Sequence, residues 1–324
     1  MRAAVVSTFG QVPEYAEVPD PSPTGSTVTG RVLAASLKNL DRGLVAGTHY
    51  ASAALTLPFV PGIDGVVELD DGRRVYSPAV APHGMMAERT VVDPAGMVPL
   101  PDGIDPVLAA ALPNAGLSAW YSLEYAGQVQ PGHNVLVLGA TGVTGALAAQ
   151  LAHGRFGAGR LVVAGRNRER LQMLHETSGA HVLHLDGGDL TEQVAALHAD
   201  TPFDAVIDYL WGAPAEQTLT ALSSAHGSGD FHRTRYVEVG AMAGATITLP
   251  AAVLRSAGIE VVGVGIGSVP GDLQARANTE ILPALFAMAA AGDLDLAVST
   301  WPMRDVAAAW TAPVPSGTRA VLVN

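Results

Sequence analysis

The stretch Asn134-Val-Leu-Val-Leu-Gly-Ala-Thr-Gly-Val-Thr-Gly-Ala-Leu-Ala-Ala-Gln-Leu151 limits what this chain can fold into more than any other. It opens with an aliphatic run that reads as a buried strand. It turns on Gly139, Gly142 and Gly145 and continues as an Ala/Leu/Gln segment that reads as a helix. Gly139 and Gly142 allow a tight turn that can approach a pyrophosphate, and Gly145 lets the helix pack close to the strand. The first N–H groups of that helix, with its positive dipole end, then face an anion. Alanine stands at the first position of the spacing Ala140-x-Gly142-x-x-Gly145, where the G-x-G-x-x-G form has glycine. Such turns can also serve packing alone. Here a strand precedes, a helix follows and a second strand comes at the right distance, so a dinucleotide-binding turn is the expectation. Ala140, Thr141, Gly142 and Val143 are its pyrophosphate-lining residues.

The 324 residues suffice for two domains, and 48% hydrophobic with 15% charged residues implies large cores and no disordered tract. A net charge of −12 argues against nucleic-acid and anionic-membrane partners, which call for a basic surface. With no cysteine there is no disulfide, thiol nucleophile or cysteine-ligated zinc, which is compatible with a cytoplasmic protein. No apolar run reaches the roughly 18–20 residues that span a bilayer. Pro13, Glu14 and Glu17 follow the N-terminus too soon for a signal peptide.

Residues 1–115 read as β-rich. Strands are expected over Ala3–Ser7, Thr27–Ala34 and Met85–Val92, with a short helix over Asn39–Val45. Asp64–Leu69 and Arg73–Ser77 flank Asp70-Asp71-Gly72, a hairpin signature. Many short strands broken by Gly and Pro suggest a partly open barrel. From about Gly116 strands and helices alternate. Strands at 134–138, 160–164, 181–185, 203–208, 235–239 and 260–264 predict a doubly wound parallel six-stranded sheet with right-handed crossovers. The tail predicts an apolar helix over Thr279–Ala291, a short helix over Asp305–Trp310 and a terminal strand over Arg319–Val323. That last strand needs a sheet to join, and the β-rich domain is the expected host. The expected division is 1–115 with 268–324, and 116–267. A catalytic cleft is expected between the domains.

The end of the second strand of the alternating region chooses the dinucleotide. A carboxylate there would bind a ribose 2′-hydroxyl and repel a 2′-phosphate. The chain instead reads Val163-Ala-Gly-Arg-Asn-Arg168, with no acid before Glu169. Gly165 is read as leaving room for the phosphate. Arg166 and Arg168 can donate charge-assisted hydrogen bonds to it. Solvated arginines, with Arg168 paired to Glu169 or another acid, are the plainer reading. Two cations at a helix start nevertheless sit badly with its dipole unless an anion is present. The expected cofactor is NADPH.

With these residues placed, the chain resembles the medium-chain dehydrogenase/reductase superfamily, most of all its zinc-free quinone-oxidoreductase-like branch. The resemblance rests on Ala35-Ser-Leu-Lys-Asn-Leu-Asp41, Pro58-Phe-Val-Pro-Gly-Ile-Asp-Gly65, Gly84-Met-Met-Ala-Glu88, Ala111-Leu-Pro-Asn-Ala-Gly-Leu-Ser-Ala-Trp120 and the glycine turn. It implies a GroES-like catalytic domain interrupted by a Rossmann domain, a homodimer, and reduction by NAD(P)H of a quinone, an enone or another activated bond. In zinc-dependent members two cysteines and a histidine hold the catalytic metal. By motif alignment those places are Lys38, Ile63 and Asn114, which cannot form a tetrahedral zinc site. The ten histidines offer no substitute, since His181 and His184 lie i, i+3 on one strand and point to opposite faces. No metal is expected.

Without zinc the protein must position cofactor and acceptor and stabilise charge on the acceptor oxygen. Lys38 stands where the branch commonly has asparagine. Either it bonds a developing enolate and donates a proton, or it pairs with Asp41 or Asp64. Asn39 and Asn114 could orient a carbonyl or the nicotinamide amide, and by analogy Ser118 lies near the nicotinamide ribose. Tyr50 is a proton donor if its loop covers the cleft, or else a packing residue. His83 falls at the mouth by analogy. The glycine pairs of Val239-Gly-Ala-Met-Ala-Gly244 and Val264-Gly-Ile-Gly-Ser268 follow the fifth and sixth strands. They place Gly240, Ala241 and Gly265 at the ligand-binding edge, or serve as turns only. An enoyl-thioester reductase and a non-catalytic NADPH-binding redox sensor are the alternatives. The first would want a basic rim that residues 40–60 and 80–90 lack.

Overall fold

A computed structural model describes residues 1–224 and 231–324. The chain divides into two compact units, Met1–Asn114 with Ala275–Asn324, and Ala115–Gln274.

In the first unit β1 (Arg2–Val5) and β2 (Glu14–Glu17) form an antiparallel ribbon. There follow β3 (Val28–Leu37), α1 (Asn39–Ala46), β4 (Asp64–Leu69), β5 (Arg74–Pro78), β6 (Arg89–Val92) and β7 (Val98–Pro99). The ten-residue β3 pairs β6 through its first half, β4 through its middle and the C-terminal strand through its second half. A register shift between Val32 and Ala34 bends it. The β4–β5 hairpin forms where Asp-Gly predicts it: Gly72 takes φ +83°, and the Asp71 carboxylate accepts from the Arg73 N–H at 3.0 Å. Val32, Val67, Met85 and Trp310 belong to the core beneath.

The helix α2 (Pro106–Tyr121) leads into the second unit. There β8 (Asn134–Leu138), α3 (Val143–Gly154), β9 (Arg160–Gly165), α4 (Arg168–Ser178), β10 (His181–His184), α5 (Leu190–Asp200), β11 (Ala205–Asp208), α6 (Gly212–Ser224), β12 (Arg233–Glu238), α7 (Ala251–Ser256) and β13 (Gly258–Gly263) alternate. The sheet order is β10-β9-β8-β11-β12-β13, every pairing parallel. Successive connections run outward from β8 in one direction and then return to β11 on its other side. The β8/β11 boundary is therefore the topological switch point, and ligands bind outside the carboxyl ends of the strands there. Leu136, Val162, Val206 and Tyr236 form part of its core, all fully buried.

After α8 (Gly271–Arg276), the tail adds α9 (Leu282–Ala291), β14 (Val298–Pro302), α10 (Val306–Thr311) and β15 (Arg319–Val323). The terminal β15 pairs antiparallel with β3, Ala320 opposite Leu37, so the β-rich unit is the host the sequence calls for.

Three segments differ from expectation. Only Arg89–Val92 of the strand expected over 85–92 forms. Before it, the Met85 and Met86 N–H groups bond the Gly62 and Pro61 carbonyls instead, and both side chains are buried. Pro106–Tyr121 is one continuous helix despite Pro113. It is apolar on nearly every side and so carries no amphipathic period. The expected helix over 279–291 begins at Leu282, preceded by a wider turn over Ala277–Ile281.

Candidate functional site at the switch point and in the β-rich unit

The turn after β8 is built for close approach. Gly139 takes φ +81°, and Gly142 is the N-cap of α3 with no side-chain cap bond. A Cβ on Gly145 would lie 2.3 Å from the Gly139 carbonyl oxygen, so only glycine lets α3 pack this near the turn. A Cβ on Gly142 would meet nothing of the protein nearer than 3.4 Å. Ala140 is fully buried and Thr141 nearly so, while Gly142 and Val143 are half-buried. The backbone of residues 142–143 thus presents the start of α3 at the carboxyl edge, with no carboxylate in its first turn.

At the end of β9, a Cβ on Gly165 would lie 2.4 Å from the Thr141 side chain. This corrects the sequence reading: Thr141 packs over Gly165, so space for a phosphate is not the immediate reason for the glycine. Arg166 is exposed. The Asn167 side chain caps α4, accepting from the Arg170 N–H at 3.2 Å. Arg168 is exposed and faces Asp186 at 3.6 Å, the acid-paired reading allowed for it from sequence.

Across the switch point Asp208 holds the loop that faces the turn. It is fully buried and accepts from the Leu210 N–H at 2.7 Å, the Trp211 N–H at 3.2 Å and the Tyr236 hydroxyl at 2.7 Å. Burial pushes its carboxyl above the usual carboxylate range. Trp211 is thereby kept at φ +54°, a conformation bulky residues rarely adopt. Leu210 and Tyr209 reach Gly139, where a Cβ would meet them at 3.0 and 3.3 Å. Burial and the neighbouring Asp208 also raise Glu238, at the end of β12. The loop after β12 bonds back to this frame: the Val239 and Gly240 N–H groups donate to the Asp208 carbonyl, and the Ala243 N–H to that of Leu210. Gly240 is half-buried, Ala241 exposed, and Gly265 exposed with open space where a Cβ would be. Sequence reasoning missed Asp208 and Glu238. The signal was an acid closing an apolar strand at the carboxyl edge.

In the first unit Lys38 is 1% exposed, and its ammonium meets the Asp64 carboxylate at 2.5 Å and donates to the Ser36 carbonyl at 3.1 Å. The Asp41 carboxylate lies 3.8 Å away. It accepts from the Lys38 backbone N–H at 3.0 Å, which closes the first turn of α1, and from the Ile63 N–H at 3.2 Å. The Tyr76 hydroxyl donates to Asp64 at 3.0 Å. Burial drives the Asp41 carboxyl up despite the lysine, and burial with Asp64 beside it drives the Tyr76 hydroxyl up. Of the two roles open to Lys38, this arrangement is the paired one: its ammonium is turned to protein oxygens rather than to solvent. Asn39, the first residue of α1, is exposed. Tyr50 is 81% exposed, stacked on His49 at 4.1 Å between centroids, so it does not pack in the core. On α2, Asn114 is exposed and Ser118, one turn later, half-buried.

Beside Asp41 opens a cavity of about 560 Å³. Its wall is mainly apolar, with Leu44, Leu55, Phe59, Val60 and Ile63, and His83 at one side.

A β-rich unit carrying both ends of the chain, with a six-stranded doubly wound unit inserted, is the architecture of two-domain nucleotide-dependent dehydrogenases and reductases. No protein-family model matches the chain. A probable NADPH-dependent quinone reductase of Emericella nidulans is 27% identical over the full length of both chains. A quinone oxidoreductase-like protein 2 of Bos taurus is 27% identical over 64% of this chain and 59% of its own. The quinone oxidoreductase from Thermus thermophilus, whose structure is known alone and in complex with NADPH, matches with a TM-score of 0.80 at 27% identity, both chains fully covered. Over its full length the chain is similar to the quinone-oxidoreductase-like branch of the medium-chain dehydrogenase/reductase superfamily.

Proposed function

We propose that the protein is an NADPH-dependent, zinc-independent oxidoreductase that reduces a quinone or an α,β-unsaturated carbonyl. The observation that carries this is the ligand-facing edge of the second unit: an uncapped α3 start beside a β9 end with no carboxylate and an exposed Arg166. The full-length relatives described as NADPH-dependent or solved with NADPH support the same cofactor.

The residues present fit that group. The amides opening α3 at Gly142 and Val143 hold the pyrophosphate, and the bare Cα of Gly142 lets it come close. Arg166 takes the 2′-phosphate, with Arg168 adding charge beyond its exposed pair with Asp186. Ser118 and Asn114 on α2, and Gly240, Ala241 and Gly265 on the later loops, line the remainder. NADPH supplies the hydride. The apolar cavity beside Asp41 takes the acceptor. Asn39 lies outside this cavity, on the wall of another with Arg42 and Trp310, and takes no part in holding the acceptor there. Lys38 holds Asp41 and Asp64 in place and Tyr50 does not line the cavity, so the proton comes from water. Zinc independence rests on donor chemistry: an ammonium, an alkyl chain and an amide at positions 38, 63 and 114 are not a zinc ligand set.

A homodimer is part of the proposal, supported by the edge position of β13, where Val261 is 39% exposed. A cytoplasmic setting accords with the absence of cysteine. Among the described residues no helix is long and apolar enough to cross a membrane.

The test is NADPH oxidation with a simple benzoquinone and with methyl vinyl ketone at catalytic protein concentration. Turnover with either is expected. Tight NADPH binding without turnover across a broad electrophile panel contradicts the reductase reading and favours a sensor.

A further inference from the structure

We infer that the cavity beside Asp41 selects its acceptor by charge, admitting uncharged hydrophobic electrophiles and rejecting those that carry a carboxylate. The inference rests on the reading of that cavity as the acceptor site. Its volume, about 560 Å³, suits a molecule the size of a substituted benzene ring with a short conjugated chain.

Among the described residues, those lining it include no lysine or arginine. The polar side chains on the wall are those of Thr56 and His83, with the fully buried Asp41 carboxylate behind it. The lysine of the neighbouring cluster cannot serve as counter-ion: Lys38 is 1% exposed, and its charge is spent on Asp64 and Asp41. A carboxylate entering this space would shed its water, find no cationic donor and lie near a carboxylate of the protein. Burying an anion without a partner is among the costliest transfers a site can impose. A neutral carbonyl of the same size loses far less, and the aliphatic walls favour its hydrocarbon portion. A hydrogen-bonding cluster thus stabilises this wall, and among the described residues no lysine or arginine lines it.

Benzylideneacetone and cinnamate form a matched pair, differing essentially in a methyl ketone against a carboxylate. Their binding to the coenzyme-free protein is measured by calorimetry at about pH 8. The ketone is expected to bind at least ~30-fold more tightly than the acid. Thr56→Lys, at an exposed position on the rim, places an ammonium on the wall. It should tighten cinnamate by ~10-fold or more while leaving the ketone within ~3-fold. Equal or tighter binding of cinnamate by the unaltered protein, failure of both to bind, or a ratio unmoved by Thr56→Lys overturns the inference. The expected split without NADPH oxidation by benzylideneacetone supports charge selection while contradicting the reductase reading. Turnover with equal binding of the pair does the reverse.

Discussion

The ammonium of Lys38 and a carboxylate oxygen of Asp64 meet at 2.5 Å, with the two side chains 1% and 7% exposed. The contact is an ion pair rather than a well-directed hydrogen bond, since that oxygen has no partner of hydrogen-bond geometry. Removing one member of a buried pair strands the other's charge. Lys38→Met should therefore cost about 3–5 kcal/mol at neutral pH. The loss should shrink as pH falls, because burial raises the Asp41 carboxyl and protonation then removes its charge. Urea unfolding at several pH values measures it, and a loss that does not vary with pH contradicts the pairing.

Gly142 and Gly145 should separate coenzyme binding from folding. Gly145→Ala drives a Cβ to 2.3 Å from the Gly139 carbonyl oxygen, backbone against backbone, so the variant should unfold several degrees lower and bind NADPH poorly. Gly142→Ala meets only a 3.4 Å contact and should keep its Tm while losing NADPH affinity roughly tenfold or more. Thermal unfolding and fluorescence titration check both. Unaltered binding in Gly142→Ala removes the pyrophosphate from this turn.

Arg166 and Arg168 differ in what holds them. Arg168 faces Asp186, whereas Arg166 lies exposed past the end of β9. Arg166→Ala should weaken NADPH binding about 10- to 100-fold and NADH binding by less than about threefold, the 2′-phosphate being the only difference between them. Arg168→Ala should cost NADPH less. Parallel loss for both dinucleotides in Arg166→Ala contradicts the cofactor assignment.

Asp208 gives a pH signature. Its folded-state carboxyl is raised by burial above 3.8, so the stability linked to its protonation is complete below that value and is lost as pH rises through the raised one. Asp208→Asn keeps an acceptor for the Leu210 and Trp211 N–H groups but does not titrate. The variant's Tm relative to the parent should become more favourable as pH rises from about 4 to about 7. A constant difference between the two shows that Asp208 does not titrate with folding.

The alternating unit was legible because its physics is local. Aliphatic runs followed by Gly, Asn or Asp mark strand ends and helix starts. Asn134–Leu138 and the core of each later strand fall where that rhythm puts them. The β15 strand was legible for a different reason: an apolar strand must pair. What stayed hidden depends on distant partners. The helix over Pro106–Tyr121 is surrounded and so lacks a polar face. Met85 and Met86 look like strand but bond the Pro61-Gly62 loop. Lys38 carried two roles in the sequence, and only the positions of Asp41 and Asp64 around its ammonium favour one. Gly165 shows the same limit, because Thr141, 24 positions earlier, is what packs against it.

The most direct test of zinc-free hydride transfer from NADPH is steady-state oxidation of NADPH by a neutral benzoquinone after exhaustive chelation and metal analysis. Undiminished turnover by metal-free protein, with NADPH preferred over NADH, is the predicted result. Activity that vanishes on chelation and returns with added zinc, or the lack of any NADPH binding, would contradict it.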